Sequence, residues 1–404
     1  MPLESRDLVS IFDFSDREIL AVFDLADEMS HHTRGNLGLA DGLIMSTLFY
    51  EPSTRTRLSF ESAMQRLGGG VLSVADASVT SVAKGETIAD TVRIVESYAD
   101  LIVIRHPYEG SAKVAADYAR VPVINAGDGA HEHPTQTLLD LYTMRREKGK
   151  LKDLNVALVG DLRHGRTVHS LAFGLARFGA KVTLIAPPGL EMPAHLLARL
   201  EHEFAVTPAQ YQSLDQIVTN SETTRRRPGR QKVLAAEVLS LFDAVYVTRI
   251  QKERFASQAE YEQIGGSYGI TEELIGKARS DTLVMHPLPR IDELSYAIDR
   301  DPRAIYFRQA AYGLPVRMAL VAALLGRRTA VVARARRGDY KPPVRHEVDF
   351  RMVGGVRCLN ARCVTNHEAY LSPQFYFVGH AANTIACTYC EAEMPAPLGA
   401  EVRG

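Results

Sequence analysis

The chain of 404 residues has no cysteine in its first 357 positions, no long apolar run and no excess of either charge. Basic residues number 47 and acidic residues 48, so the overall charge does not favour nucleic acid or a membrane surface as a partner. No apolar run approaches the ~20 residues that a membrane-spanning helix needs, and the amino terminus lacks the pattern of a signal peptide. These absences predict a soluble cytoplasmic protein whose partners are small molecules or other subunits.

Short apolar runs of strand length alternate with helical segments through the first 326 residues. Ser15 and Glu18 form a capping-box pair that predicts the start of an amphipathic helix. The predicted strands are LIMSTLFY, LIVIR and VPVINA in a first unit, then NVALVGD, KVTLIAPP, LFDAVYVTR and DTLVMHPLP in a second. Because strands that alternate with helices are typical of parallel sheets, the sequence predicts an α/β protein with two doubly wound parallel-sheet domains.

Changes in composition predict the domain boundaries. The first domain is expected at 1–148 and the second at 149–326, whose last helix, VRMALVAALLG, is expected to pack back on the first domain. A basic, proline-containing linker follows at 327–345, and the cysteine module is expected at 346–395. Within the second domain, TNSETTRRRPGRQK is interpreted as a solvated surface insertion, with a nucleic-acid contact as the alternative.

The stretch YEPSTRTRLSF, residues 50–60, places hydroxyl and guanidinium donors where a strand is followed by a helix. A helix start has backbone N–H groups without partners and a partial positive charge, and arginine matches phosphate oxygens with two parallel donors. The stretch therefore predicts a phosphate site that includes Ser53, Thr54, Arg55, Thr56 and Arg57. The alternative is an ordinary helix cap whose arginines pair with carboxylates such as Glu51 or Glu61.

Two further turns carry polar groups at the end of a predicted strand. RHPYEG places Arg105 there, and GAHEHPTQT places His133 and Gln136 where the next helix begins. The carboxyl ends of parallel strands share an edge, so these groups are expected to lie beside Thr56. A lone histidine can equally be a core residue, and Lys84, at the end of the polar segment DASVTSVAK, can equally be a solvated loop lysine.

The second predicted domain also has arginines at strand ends. Arg166 is expected at a helix start after GDLRHG, which lacks the G-x-G-x-x-G spacing of a dinucleotide site. Arg249 and Gln251 follow another strand. Two arginines at one edge suit a dicarboxylate ligand, whereas the alternative is a pair of surface salt bridges.

The four cysteines form two pairs with the spacing of zinc knuckles. Four residues separate Cys358 from Cys363, 23 residues follow, and two residues separate Cys387 from Cys390. In a reducing compartment such a set is expected to hold structural Zn²⁺, with disulfides or free thiols as the alternative. His367 and His380 are candidate substitute ligands. Zinc ribbons often bind nucleic acid, so that function is open on the spacing alone.

The motifs STRTR, KGET, the Arg105 turn, HPTQ, GDLRHGRTVHS, TRIQKER and HPLPR follow one another in an order that resembles the catalytic chain of aspartate carbamoyltransferase, over residues 1 to about 325. Ornithine carbamoyltransferase is less similar, because it typically has HPCQ and a cysteine-containing HCLP at the corresponding places. The resemblance implies the transfer of a carbamoyl group from carbamoyl phosphate to L-aspartate in pyrimidine biosynthesis, with no organic cofactor.

The resemblance also implies a role for each motif residue. The phosphate would be held by Ser53, Thr54, Arg55, Thr56 and Arg105, and the carbamoyl group by His133 and Gln136. The aspartate carboxylates would be bound by Arg166, Arg249 and Gln251, with Leu288 and Pro289 lining the site. Ser81 and Lys84 match a loop that reaches into a neighbouring subunit, which implies a homotrimer. Family members differ in the length of this loop, so the alignment of Ser81 is open. Closure of the two domains would expel water from the site.

The cysteine module resembles the zinc domain of the aspartate carbamoyltransferase regulatory chain, through CLNARC, VTNHEAYLSPQFYFV and ANTIACTYCEAEM. In the family that domain docks regulatory to catalytic chains. The nucleotide-binding domain that precedes it there has no counterpart here. The resemblance implies a fusion of a catalytic chain with a small β zinc-ribbon-like domain that serves assembly or stability, and two trimers bridged into a hexamer are one arrangement it allows. A catalytically silent scaffold is the alternative from another functional class.

Overall fold

The structure is a computed structural model that describes residues 3–75, 84–213, 239–250, 269–276, 278–291, 293–327, 356–378 and 383–397. Contacts divide the chain into two compact units, Met1–Leu138 with Gly313–Gly404, and Leu139–Tyr312. No helix in the described ranges is both long enough and apolar enough to cross a bilayer. The segment TNSETTRRRPGRQK and the linker at 328–345 lie outside the described residues.

The described helices and strands largely alternate as far as α9, and three strands follow in the cysteine module. In order they are α1 (Asp16–Ser30), β1 (Ile44–Phe49), α2 (Thr54–Leu67), β2 (Gly70–Val74), α3 (Ile88–Val95), β3 (Leu101–His106), α4 (Ser111–Tyr118), β4 (Val123–Asp128), α5 (Pro134–Lys148), β5 (Asn155–Val159), α6 (Arg166–Arg177), β6 (Lys181–Ile185), α7 (Ala194–Phe204), β7 (Ala209–Tyr211), β8 (Ala244–Val247), α8 (Glu272–Gly276), β9 (Leu283–Met285), α9 (Tyr306–Leu324), β10 (Phe375–Phe377), β11 (Thr384–Cys387) and β12 (Glu393–Pro395).

The first unit has a four-stranded parallel sheet in the order β2-β1-β3-β4. β1, β3 and β4 are almost wholly buried, as expected for parallel strands that are covered on both faces. The capping box at the start of α1 is present, because the Ser15 hydroxyl accepts from the Glu18 N–H and the Glu18 carboxylate accepts from the Ser15 N–H. α2 ends at Gly68, whose φ of 97° is the left-handed conformation that glycine adopts at helix ends.

The second unit has a five-stranded parallel sheet in the order β7-β6-β5-β8-β9. The buried Asp140 carboxylate accepts hydrogen bonds from the Tyr246 hydroxyl at 2.8 Å and from the Gln309 amide at 2.6 Å. These bonds join α5, β8 and α9 within this unit. The two parallel sheets and the small antiparallel sheet β10-β11-β12 confirm the predicted fold class.

The last helix of the second series is longer than the sequence suggested. The predicted segment VRMALVAALLG begins at Val316, whereas α9 begins at Tyr306 and continues through Pro315. A proline inside a helix costs ~3 kcal/mol. Val316, Met318 and Leu320 are fully buried after it, and each buried side chain of this size contributes about 1.5–3 kcal/mol, so packing outweighs the cost. The division into units places Gly313 and the residues after it with the first unit.

The cysteine module packs on the first unit, on the turn between β3 and α4. The Glu109 N–H donates to the Arg362 carbonyl at 3.0 Å, and the Val364 N–H donates to the Glu109 carbonyl at 2.9 Å. The His367 ring stacks on Tyr108 with centroids 3.6 Å apart. Val364 and Leu371 join the apolar core beside β3, and each buried side chain of this size contributes about 1.5–3 kcal/mol. The module is therefore held by backbone bonds as well as by apolar burial.

Gly110 provides a test of this docking. Its φ is 87°, and a Cβ built on it would lie 2.7 Å from the Tyr389 carbonyl oxygen of the module. We expect Gly110→Ala to push the module away and to raise amide exchange at Val364 and Glu109 by about ten-fold or more, because strain of this kind costs of order 1–3 kcal/mol. Hydrogen exchange read by mass spectrometry measures this effect.

Gly35→Ala is the matched control for Gly110→Ala. Gly35 has a similar φ of 92°, but its Cβ would meet no atom within 4 Å. The control therefore carries the backbone cost without the collision with Tyr389. Equal exchange at Val364 in the two variants would contradict the docking described here.

Candidate active site and metal centre

The polar turns that follow β1, β3 and β4 lie at one edge of the first sheet. Phe49 pairs with Arg105 in the register of β1 and β3, and His106 pairs with Asp128 in that of β3 and β4. The three strands are adjacent and parallel, so their carboxyl ends are side by side. The structure thus brings the turn at residues 50–57, Arg105 and the loop before His133 to the same edge.

The amino terminus of α2 has no cap of its own. Ser53 occupies the N-cap position, but its hydroxyl accepts no capping hydrogen bond, and the first turn contains no acidic residue. Unfilled N–H groups and the helix dipole make such an end attractive to an anion. The interpretation of Ser53 as an ordinary cap is therefore wrong for this helix.

The two arginines of the STRTR motif differ in their partners. Arg57 lies 3.8 Å from Glu61, one helical turn away, and also donates to the Ser73 hydroxyl. Arg55 makes no hydrogen bond or ion pair with any part of the chain that the structure describes. The Arg55 side chain is exposed, and the partial desolvation of its guanidinium lowers its pKa. Arg55 is thus a guanidinium at a helix start whose charge the described chain does not neutralise.

Arg105 is held in place by the strands beside it. Its guanidinium donates to the Ala126 carbonyl and to the Glu51 carboxylate, each at 3.2 Å. These bonds fix the side chain at the sheet edge. Glu51 thus pairs with Arg105, and not with an arginine of residues 50–60 as the alternative interpretation expected. The expected pairing with Glu61 occurs at Arg57.

The other predicted residues of the first unit are mostly buried at this edge. Thr56, His133 and Gln136 are each at most 9% exposed. The Thr135 hydroxyl is 3.3 Å from His133 Nδ1, so this contact helps to orient the ring. Thr54 and Lys84 are exposed, and Ser81 lies outside the described residues.

Arg166 and Arg249 follow adjacent strands of the second sheet. Arg166 is the first residue of α6 after the loop that leaves β5, and Arg249 lies two residues beyond β8. Gly160 allows the two strand ends to approach closely, because a Cβ there would lie 2.5 Å from the Thr248 carbonyl oxygen. Gln251 lies outside the described residues.

A buried pair that the sequence analysis did not identify supports Leu288 and Pro289. His286 Nδ1 accepts from the Leu288 N–H at 2.7 Å, so Nε2 carries the proton and donates to the Glu293 carboxylate at 2.8 Å. Burial raises the pKa of Glu293, but the hydrogen bond from His286 and those from the backbone N–H groups of Glu293 and Ile291 outweigh this effect and lower it. The histidine of HPLP, with an acid seven residues later, is the signal that could have revealed the pair.

The four cysteines form a compact and buried centre. Their sulfur atoms all lie within 4.8 Å of one another, and the Cys358–Cys390 and Cys363–Cys387 separations are 3.7 Å. A disulfide needs about 2.05 Å. Tetrahedral Zn²⁺ with bonds of about 2.3 Å would place its sulfur ligands about 3.8 Å apart, so the set fits a metal ion. His367 stacks on Tyr108 and contacts the Ala361 carbonyl, and His380 lies outside the described residues.

Family models match the chain in three consecutive parts. Residues 6–146 match the carbamoyl-P binding domain of aspartate/ornithine carbamoyltransferase, and residues 152–324 match its Asp/Orn binding domain. Residues 351–396 match the metal binding domain of the aspartate carbamoyltransferase regulatory chain. The curated relatives include the aspartate carbamoyltransferase catalytic subunits of Thermoplasma acidophilum, 47% identical over 80% of this chain and 99% of the relative, and of Methanopyrus kandleri, 48% identical over 80% and 98%.

Solved structures agree with the sequence matches. The catalytic subunit of M. jannaschii aspartate transcarbamoylase is 45% identical with a TM-score of 0.70, and covers 80% of this chain and 98% of its own. Aspartate transcarbamoylase from Trypanosoma cruzi, in complex with carbamoyl phosphate and aspartate, is 39% identical with a TM-score of 0.70. The match covers 80% of this chain and 96% of the Trypanosoma cruzi chain. The chain therefore belongs to the aspartate/ornithine carbamoyltransferase family.

Proposed function

We propose that the protein is an aspartate carbamoyltransferase that forms N-carbamoyl-L-aspartate and phosphate from carbamoyl phosphate and L-aspartate. The observation that carries the assignment is Arg55, an unneutralised guanidinium at the uncapped start of α2. The catalytic residues are Arg55, Thr56, Lys84, Arg105 and His133. The further substrate-binding residues are Ser53, Thr54, Ser81, Gln136, Arg166, Arg249, Gln251, Leu288 and Pro289.

The reaction needs electrostatic stabilisation at two places. The uncharged amine of aspartate attacks the carbamoyl carbon, and the carbonyl oxygen becomes an oxyanion that Thr56, Arg105 and His133 stabilise. The bond to the phosphate oxygen then breaks, and Arg55 stabilises the departing phosphate, which can take the proton that the amine loses. No protein nucleophile is required. Arginines at two adjacent strand ends of the second unit, Arg166 and Arg249, suit the two carboxylates of aspartate.

The metal of the cysteine module is proposed to be structural zinc. Four thiolates at tetrahedral spacing complete the coordination of Zn²⁺ and leave no position for a substrate. Metal binding to such a set stabilises the folded module. A compartment that keeps these cysteines reduced, such as the cytoplasm, is the proposed location.

A homotrimer in which neighbouring subunits share the active site is the proposed assembly. Lys84 is exposed just before α3, and Ile94 and Tyr98 beyond it are 54% and 60% exposed. Large apolar side chains close together on a surface are typical of a subunit contact. The chain is further proposed to be a natural fusion of a catalytic chain with the metal-binding domain of a regulatory chain, since all three family matches lie on it.

A silent scaffold is the competing function. It would not need a guanidinium that forms no hydrogen bond or ion pair with the described chain. The intact set of polar residues at the edge of the first sheet favours the enzyme. An assay for carbamoyl-aspartate, with ornithine as the control acceptor, separates the two functions. The enzyme would form this product, and the silent scaffold would not.

Replacement of Arg55 by alanine tests the phosphate site. We expect turnover to fall by about 10²–10³-fold, the usual cost of losing one donor to a developing charge. Among the described residues Arg55 has no hydrogen-bond or ion-pair partner to lose, so the melting temperature should stay near that of the unchanged protein. Steady-state kinetics and circular dichroism measure the two effects.

Arg57→Ala is the matched control for Arg55→Ala. It removes a guanidinium from the same helical turn, but one that pairs with Glu61. Turnover in this variant should change by no more than a few-fold. A comparable loss in both variants, or near-normal turnover in Arg55→Ala, would contradict the assigned role of Arg55.

Mixing two inactive variants tests the shared site. A trimer that contains both Lys84→Ala and His133→Ala chains has one intact site, formed by His133 of one chain and Lys84 of its neighbour. Since about three quarters of randomly assembled trimers are mixed, activity should recover to about a quarter of normal in a cyclic trimer. The control is a mixture of the two unmixed trimers, Lys84→Ala and His133→Ala, that have not exchanged subunits. Verified mixed trimers without activity would disprove sharing.

A further inference from the structure

A second cluster of metal-ligand side chains lies where the cysteine module meets the turn after β4. His131, Glu132 and Glu391 each offer a ligand atom, and these atoms lie within 4.8 Å of one another. His131 and Glu132 precede α5, and Glu391 belongs to the module. No cysteine is part of this cluster, so it is separate from the four-thiolate centre.

The His131 imidazole is oriented by a buried carboxylate. Its Nδ1 lies 3.0 Å from Asp128, which also accepts hydrogen bonds from the Gly110 N–H and the Asn125 amide. An ionised carboxylate can act only as an acceptor, so Nδ1 donates. Burial lowers the pKa of His131, but Asp128 and Glu391 outweigh this effect and raise it, so Nε2 must release a proton before it can offer a lone pair to a metal. Histidines that bind metals are commonly oriented by a carboxylate in this way.

The Nε2 atom of His131 is buried and has no hydrogen-bond partner in the described chain. The Glu391 carboxylate faces it at 3.9 Å, which is too long for a hydrogen bond. A buried polar atom in this state is destabilising unless a ligand fills the gap. The atom points toward the carboxylates that complete the cluster.

Three carboxyl groups lie around the imidazole, and burial raises the pKa of one of them, Glu132, to about 7. The Glu132 carboxylate is buried, where it accepts from the Ser10 hydroxyl at 2.6 Å and the Ile11 N–H at 3.3 Å. Asp128 and Glu391 add two further carboxylates to the same small region.

We propose that His131, Glu132 and Glu391 bind a divalent transition-metal ion of the Zn²⁺ class. Bonds of about 2.0–2.2 Å place tetrahedral nitrogen and oxygen ligands about 3.4 Å apart, so the gap between His131 and Glu391 must close by about half an ångström. The Glu391 side chain is 32% exposed and can move this far, and its solvent side allows water as a fourth ligand. An imidazole ligand favours this class over Mg²⁺ or Ca²⁺.

The ion would join the cysteine module to the active-site edge. Glu391 comes from the module, whereas His131 and Glu132 lie directly before His133 in the chain. Occupancy would therefore fix the loop that carries His133. The site is built from both parts, so it exists only while the module is docked.

Titration of the metal-free full chain with Co²⁺ tests the proposal. The four-thiolate centre gives sulfur-to-metal charge-transfer absorption, whereas the second site, without sulfur ligands, gives only weak d–d bands. We expect each chain to bind two equivalents of Co²⁺ once all of its ligand groups are occupied. Mass spectrometry after dialysis against Zn²⁺ should likewise give two Zn²⁺ per chain. Glu391→Gln and, independently, His131→Asn should weaken the second equivalent by about 100-fold or more while the charge-transfer phase remains.

Glu393→Gln is the matched control, since it removes a nearby carboxylate that is outside the cluster. This variant should still bind both equivalents of Co²⁺. His131→Asn keeps an amide donor for Asp128 but lacks Nε2, so it separates metal ligation from support of the turn. The charge-transfer absorption itself reports that the module is folded in every variant. Uptake of one equivalent by the unchanged chain, binding of the second only at large metal excess, or two equivalents in both ligand variants would overturn the proposal.

Discussion

Parallel pairing of β1, β3 and β4 is the constraint on which the phosphate half of the site depends, with a one-residue shift in the β3–β4 register between Ile104 and His106. Residues that are more than seventy positions apart in the sequence reach one edge because Phe49 pairs with Arg105 and His106 with Asp128. A slip of one residue would turn Arg105 to the opposite face of the sheet, since side chains alternate. The buried apolar faces of these strands prevent that slip, so the core that stabilises the fold also positions the charged groups.

Some of the arginines at this edge stabilise the fold, and another is available to bind a ligand. Arg105 and Arg57 each have a carboxylate partner, and these pairs hold the sheet edge and α2 in shape. Arg55 is exposed and has none in the described chain. An anionic ligand supplies the missing charge. Such local imbalance is typical of binding sites, where a cost in the free protein becomes a gain when the ligand binds.

Local patterns were sufficient to predict the fold class and most strands, because buried parallel strands are continuous apolar runs between turns. They did not predict the elements whose conformation depends on tertiary packing. β2 has an exposed, mixed sequence and is ordered by its pairing with β1, so no apolar run revealed it. The first half of α9 was not predicted, because the apolar segment VRMALVAALLG begins only after Pro315, whereas the helix continues through that proline. The contact of Glu109 with Arg362 joins residues too distant in sequence for any pattern to predict.

The docking of the cysteine module links metal binding to the active-site edge by ordinary thermodynamics. A metal that binds only the folded module stabilises it, and the module in turn stabilises the turn at Tyr108 and Glu109 through backbone hydrogen bonds. That turn follows Arg105 directly, and Gly110 within it also donates to Asp128 in the loop that leads to His133. Two of the three turns at the edge, the one after β3 and the one after β4, are therefore stabilised by contacts that lie outside the first sheet. A module joined covalently to the chain is always at high effective concentration, so this support does not depend on the encounter of separate subunits.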